Sequence, residues 1–226
     1  MSRLHTLPKD LAPSGATGVL ATHKVLRNTY ALLSLTLAFS AGVAALSAAW
    51  KLPHPGILLT LAGYFGLLFA TTRLRNSGWG VVSVFALTGF MGYTLGPIVS
   101  HYLSLANGHQ VVLMAMGGTA AIFLGLSAYV LTTQRDFGFL GGFLFAGILV
   151  AFLAGLGAIF FQVPALALTV SAAFVLLMAG LILFETSRII RGGETNYVMA
   201  TVTLFVSIFN LFTSLLHLIG FGSQND

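Results

Sequence analysis

Residues 197–221 read YVMATVTLFVSIFNLFTSLLHLIGF, twenty-five positions without an Asp, Glu, Lys or Arg. A helix needs about 20 mostly apolar residues to cross a hydrocarbon core of about 30 Å. The stretch is continuously apolar, with none of the dyad alternation of a membrane barrel strand. It therefore reads as a spanning helix. Six more charge-free runs precede it: Thr29–Trp50, Ile57–Thr72, Trp79–His101, Val111–Thr133, Phe137–Phe161 and Val163–Phe184. The second has only 16 residues, so it is expected to extend into its flanks or to cross where the bilayer thins. The connections are short, which makes consecutive helices antiparallel neighbours. The fold class that follows is an all-α integral membrane protein with seven transmembrane helices. Residues 1–24 are expected to form a flexible N-terminal tail and residues 25–226 a single seven-helix membrane domain.

Composition agrees. Of 226 residues 57% are hydrophobic and 7% charged, where soluble domains carry about a quarter charged residues. Mean hydropathy is +0.96. A soluble fold built from these residues would expose aggregating apolar patches, and disorder requires the opposite balance. With no cysteine, disulfide scaffolds, thiolate metal sites and cysteine nucleophiles are excluded. The net charge of +5 does not point to nucleic acid, because the basic residues are scattered between apolar runs and form no stripe.

Charge in the connections orients the bundle. Arg3, Lys9, Lys24 and Arg27 precede or open the first helix, and Arg73, Arg75, Arg135, Arg188 and Arg191 fall in the second, fourth and sixth connections. All nine share one side, and Lys51 stands alone on the other. The N-terminus is expected in the cytoplasm and the C-terminus outside. The long polar stretch before the first run, with Pro8, Asp10 and Pro13, argues against a cleaved signal peptide.

Ionisable groups inside a span are costly and mark candidate functional sites. Glu185 sits at the inner end of helix six, less than a turn before Arg188 and on the same face. It is either an end residue paired with Arg188 or a carboxylate facing the bundle interior that senses protons or cations. Ser207, Asn210, Ser214 and His217 line one face of helix seven, the pattern of a face packed on other helices or, less simply, of a polar path. Gly92 and Gly96 form a small-xxx-small pair in helix three, and Pro97 removes a helical hydrogen bond. Packing or a kink is the expected role of these three. His101 and His109 flank the third connection, a poor metal site without a carboxylate. No metal and no cofactor is expected.

Several chemistries are struck out. A retinal protein needs a lysine in its last helix, and Lys51 is the last lysine here. An intramembrane aspartyl protease needs two buried aspartates, and Asp10, Asp136 and Asp226 all lie outside the runs. Zinc-protease, phosphate-loop and dinucleotide motifs are absent, as is a G-x-S-x-G elbow. The chain is read as a non-enzyme.

The segments GVVS (80–83) and GYTLGP (92–97) resemble the signature of the Bax inhibitor-1 family of seven-helix membrane proteins. Ala115, Thr119, Ala120 and Phe123, then LFET (183–186) and FNLF (209–212), extend the resemblance over nearly the whole chain after about residue 22. THKVLRNTY (22–30) and GGETNY (192–197) are similar to its bacterial YccA-like branch. The resemblance implies a bundle with helix seven central. It also implies binding to, and modulation of, the membrane AAA protease FtsH in the inner membrane, with the N-terminal tail as the handle by which the protease engages the protein. The alternative it implies is a pH-sensitive calcium leak. In leak-forming relatives two carboxylates on helices six and seven share a proton. Glu185 matches the first position, whereas the second falls on Ser207, which does not ionise. A latching arginine of helix two would correspond to Arg73 or Arg75. FtsH and the lipid bilayer are the partners this reading expects, with calcium ions or protons under the alternative.

Overall fold

A computed structural model describes residues 14–223, with side chains from residue 22 onward. Among the described residues it contains seven helices and no strand: α1 (Ser14–Ala49), α2 (Ile57–Leu74), α3 (Trp79–Leu103), α4 (Gly108–Thr133), α5 (Leu140–Phe160), α6 (Pro164–Ile190) and α7 (Tyr197–Gly222). Each is long and apolar enough to cross a membrane, the first from Thr22 onward. The shortest, α2, gains two residues over the charge-free run and reaches 18. At 1.5 Å per residue that is about 27 Å, enough to span with little tilt. The segment expected as a tail overlaps the first turns of α1 at positions 14–24, and positions 1–13 lie outside the described residues.

Helix α7 is the centre of the bundle. It packs on α1, α3, α4 and α6, while α2 leans on α3 and α5 on α6. Val198, Ala200, Leu204, Phe205, Leu211 and Leu216 of α7 are buried. They join three apolar clusters, the largest of which draws on Leu33, Val84, Leu87 and Ile189. In a bilayer such burial gains packing rather than escape from water, so close fit decides which helices touch.

Helices α1 and α3 approach each other closely. A Cβ on Gly92 would collide with the Ser40 carbonyl oxygen, and one on Gly96 with Ser47 and the Ala44 carbonyl. Helix α3 continues through Pro97. Proline has no N–H, so the carbonyl four residues back, Tyr93 O, receives no helical hydrogen bond from it. Ser47 Oγ donates to that oxygen across the interface at 3.0 Å.

The helix ends are made locally. Pro164 occupies the first turn of α6. Asn196 caps α7, its Oδ1 accepting from the backbone N–H of Val198 and Met199, both at 3.1 Å. After α6 the chain turns at Gly192 (φ 73°), a left-handed position that suits glycine.

Candidate functional site

The basic loops meet at one end of the bundle, and α6 organises them. Glu185 lies one turn inside that end and is 1% exposed. Its Oε2 accepts from Arg188 Nη1 at 3.3 Å, the i,i+3 pair that the sequence places on one face. Arg188 also lies over the Phe184 ring at 5.4 Å. Its second nitrogen, Nη2, donates to Glu194 Oε2 at 3.2 Å and to the Gly193 carbonyl at 3.3 Å. Glu194 Oε1 in turn accepts from the Asn196 backbone N–H at 2.8 Å. Asn196 Nδ2 donates to Asn76 Oδ1 at 2.8 Å and to the Arg75 carbonyl at 3.1 Å. One polar chain thus runs from the buried carboxylate through the α6–α7 connection to the α2–α3 connection.

A second chain ties in the α4–α5 connection. Ser187 Oγ accepts from the Phe137 N–H at 3.1 Å and donates to the Arg135 carbonyl at 3.2 Å. Arg191 Nη2 donates to the Gln134 carbonyl at 2.9 Å, and Nη1 stands 3.8 Å from Asp136. Gln134 ends α4 in a left-handed conformation (φ 50°), which turns its carbonyl toward α6.

Glu185 is buried and is paired with Arg188. Its other oxygen, Oε1, is buried with no partner among the described residues, as are Thr186 Oγ1, Thr29 Oγ1, Tyr30 OH and Ser127 Oγ. All five atoms sit in the third of their spans nearest the basic end. Buried polar atoms are usually satisfied, and the chemistry open to a lone carboxylate oxygen is to take a proton or to face a cation or water.

Ser207 is fully buried and its hydroxyl donates to the Thr203 carbonyl at 2.7 Å, with no bond to Glu185. Arg73 is exposed and lies over Phe69 at 5.5 Å. Arg75 is exposed and takes part through its carbonyl. Among the described residues Glu185 pairs with Arg188 alone, and neither helix-two arginine reaches it. Asn210 is separate from the Glu185 network. Its Nδ2 donates to the Val206 carbonyl at 2.9 Å, and the residue lines an apolar cavity of about 530 Å³ bounded by α2, α3, α5, α6 and α7. Lower on the same face of α7, His217 Nδ1 meets Ser171 Oγ of α6 at 2.9 Å. No group of three metal-ligating side chains forms among the described residues.

Glu194, Asn196 and Asn76 carry the network and went unread as site residues. Asn196 had a signal, since an asparagine just before an apolar run is a cap signature. Glu194 and Asn76 had none, because their partners come from other connections.

The matched family and relatives agree with one another. A family model described as "Inhibitor of apoptosis-promoting Bax1" matches residues 22–226. The chain is 56% identical over 209 residues to a protein of Escherichia coli K12 named "Modulator of FtsH protease YccA", covering 92% of this chain and 95% of that one. It matches to the same extent an E. coli O6:H1 protein named "Inner membrane protein YccA". It is 44% identical over 220 residues to a Vibrio cholerae membrane protein, with 97% and 99% of the two chains covered.

Proposed function

The chain belongs to the Bax inhibitor-1 family, and on that premise we propose that it is an inner-membrane protein that binds and modulates the membrane AAA protease FtsH. The observation that carries this reading is the identity of 56%, sustained over 92% of the chain, with a relative named for that activity. The seven spanning helices and the second relative, named for the inner membrane, support the location. The role is regulatory rather than catalytic. The N-terminal segment, 1–24, is the handle by which the protease engages the protein. Its residues 14–24 already belong to α1, at the end of the bundle that carries the basic loops, and the bias of nine basic residues to one supports a cytoplasmic position for that end.

The test is affinity capture from mild-detergent membranes with the tag at the C-terminus and an unrelated seven-helix protein as control. Specific enrichment of FtsH is expected, and its absence in membranes rich in the protease would overturn the reading. Deletion of residues 2–20 is expected to slow the protein's own turnover without loss of membrane insertion. Unchanged turnover would remove the handle from the proposal.

A pH-sensitive calcium leak through Glu185 is the second reading, favoured by the unpartnered Glu185 Oε1. Ser207 at the second carboxylate position weakens it, because a shared-proton switch needs two titrating groups. Calcium flux into liposomes no greater than into empty vesicles would exclude it. Flux that changes with pH and loses that response in Glu185→Gln would establish it.

A further inference from the structure

A cavity of about 610 Å³ opens between α1 and α4 at the basic end of the bundle. Its wall combines His23, Lys24 and Arg27 with Leu26, Tyr30 and Leu131. The three basic residues lie in the first turns of the α1 span, which begins at Thr22, and Leu131 lies in the last turn of α4. The cavity thus lies at the end of two spanning helices, where their apolar runs give way to polar connections. Lys24 and Arg27 are three apart on the helix and project from one face. Both are exposed, and neither is ion-paired among the described residues. The described carboxylates are engaged elsewhere, Glu185 and Glu194 with Arg188 and Asp136 with Arg191. The cavity has positive charge, apolar walls and no described carboxylate to neutralise it.

We propose that this cavity is a binding site for an anionic phospholipid, whose phosphate sits between Lys24 and Arg27 and whose acyl chain runs along Leu26 and Leu131. Charge complementarity selects this occupant: basic pockets between transmembrane helices hold anionic headgroups, while the leucine wall needs a hydrocarbon that a free anion lacks. A zwitterionic lipid fills the same space without compensating the two cations, so the site discriminates by headgroup.

The test uses the full chain purified in mild detergent, titrated with phosphatidylglycerol or phosphatidylcholine, and reads bound lipid by native mass spectrometry. Phosphatidylglycerol is expected to bind about tenfold or more tightly than phosphatidylcholine. Lys24→Gln/Arg27→Gln is expected to erase the preference, while Lys51→Gln, at the other end of the bundle, keeps it. Lys24→Arg/Arg27→Lys retains both charges and is expected to retain the preference. Equal binding of the two lipids, or a preference that survives the double glutamine variant, overturns the proposal. So does displacement of phosphatidylglycerol by inorganic phosphate at equal concentration, which would mark a free-anion site. Should the double glutamine variant fail to fold, Arg27→Gln alone is read the same way.

Discussion

Ser47 on α1 donates its hydroxyl to the Tyr93 carbonyl on α3 at 3.0 Å, and Tyr93 is the residue whose helical partner Pro97 removes. A proline in one helix and a serine in another are complementary halves of one device. The proline exposes an acceptor, the glycines at 92 and 96 let α1 come close enough, and the serine fills the gap. Backbone groups in a bilayer must find partners inside the protein.

Ser47→Ala is expected to lower stability by about 1 kcal/mol, near the upper part of what membrane side-chain hydrogen bonds contribute. In a Pro97→Ala background the same change is expected to cost less, since alanine supplies the backbone N–H that proline withholds from the Tyr93 carbonyl. Thermal denaturation in detergent of the two single variants and the double variant checks this. Additive costs would sink the account.

Gly92→Leu is expected to be far more harmful than either, because any Cβ there meets the Ser40 carbonyl, which is backbone and has nowhere to go. Loss of the folded, monodisperse protein on size exclusion is the expected result. A well-folded Gly92→Leu would show that α1 and α3 do not approach as described.

Arg188→Gln strands Glu185 in the interior and frees Glu194. Breaking a fully buried pair costs about 3–5 kcal/mol. The Arg188 side chain is 37% exposed, so solvent screening lowers the expectation to roughly 2 kcal/mol. Glu185→Gln is expected to cost less, and the Glu185→Gln/Arg188→Gln pair less than the sum of the two. A double-mutant cycle on melting temperature reads the coupling, and zero coupling would contradict the geometry.

Asn196→Ala removes both the α7 cap and the link to Asn76 and the Arg75 carbonyl. About 1–2 kcal/mol of stability is expected to be lost. Asn196→Asp keeps the cap acceptor and loses only the amide donor, so it should fall between the alanine variant and the parent. Equal losses for the two substitutions would mean that capping contributes little.

Topology is open to a clean experiment because the chain has no cysteine. A single Cys substituted for Arg75 is expected to react with a membrane-impermeant maleimide only in inverted membranes. One substituted for Lys51 is expected to react in right-side-out cells. The reverse pattern would overturn the assignment drawn from the basic loops.

The spans were readable because charge-free length is a local property of the chain, and each run maps onto one helix with ends shifted by at most six residues, the start of α1 excepted. The start of α1 was not, since Pro8, Asp10, Pro13 and Gly15 resemble a tail, yet the helix begins at Ser14. The Glu185–Arg188 pair was visible as an i,i+3 spacing. Its extension to Glu194 was hidden, because it depends on the turn at Gly192 bringing the connection back under the helix end. The Ser47–Tyr93 bond joins residues 46 apart in two different helices. No pattern within either helix announces it.

The central place of α7 has a consequence for biosynthesis. Six spans leave the ribosome before it, and none of them can complete the bundle, because half of the cluster that holds Leu33, Val84 and Ile189 lies on the helix still to come. Until then the inner faces of α1, α3, α4 and α6 must wait in the bilayer against lipid or against one another. The seventh span then has to carry Ser207, Asn210, Ser214 and His217 into the space they leave. The centre of the bundle is thus the last part of it to be synthesised, a keystone that arrives after the helices it joins.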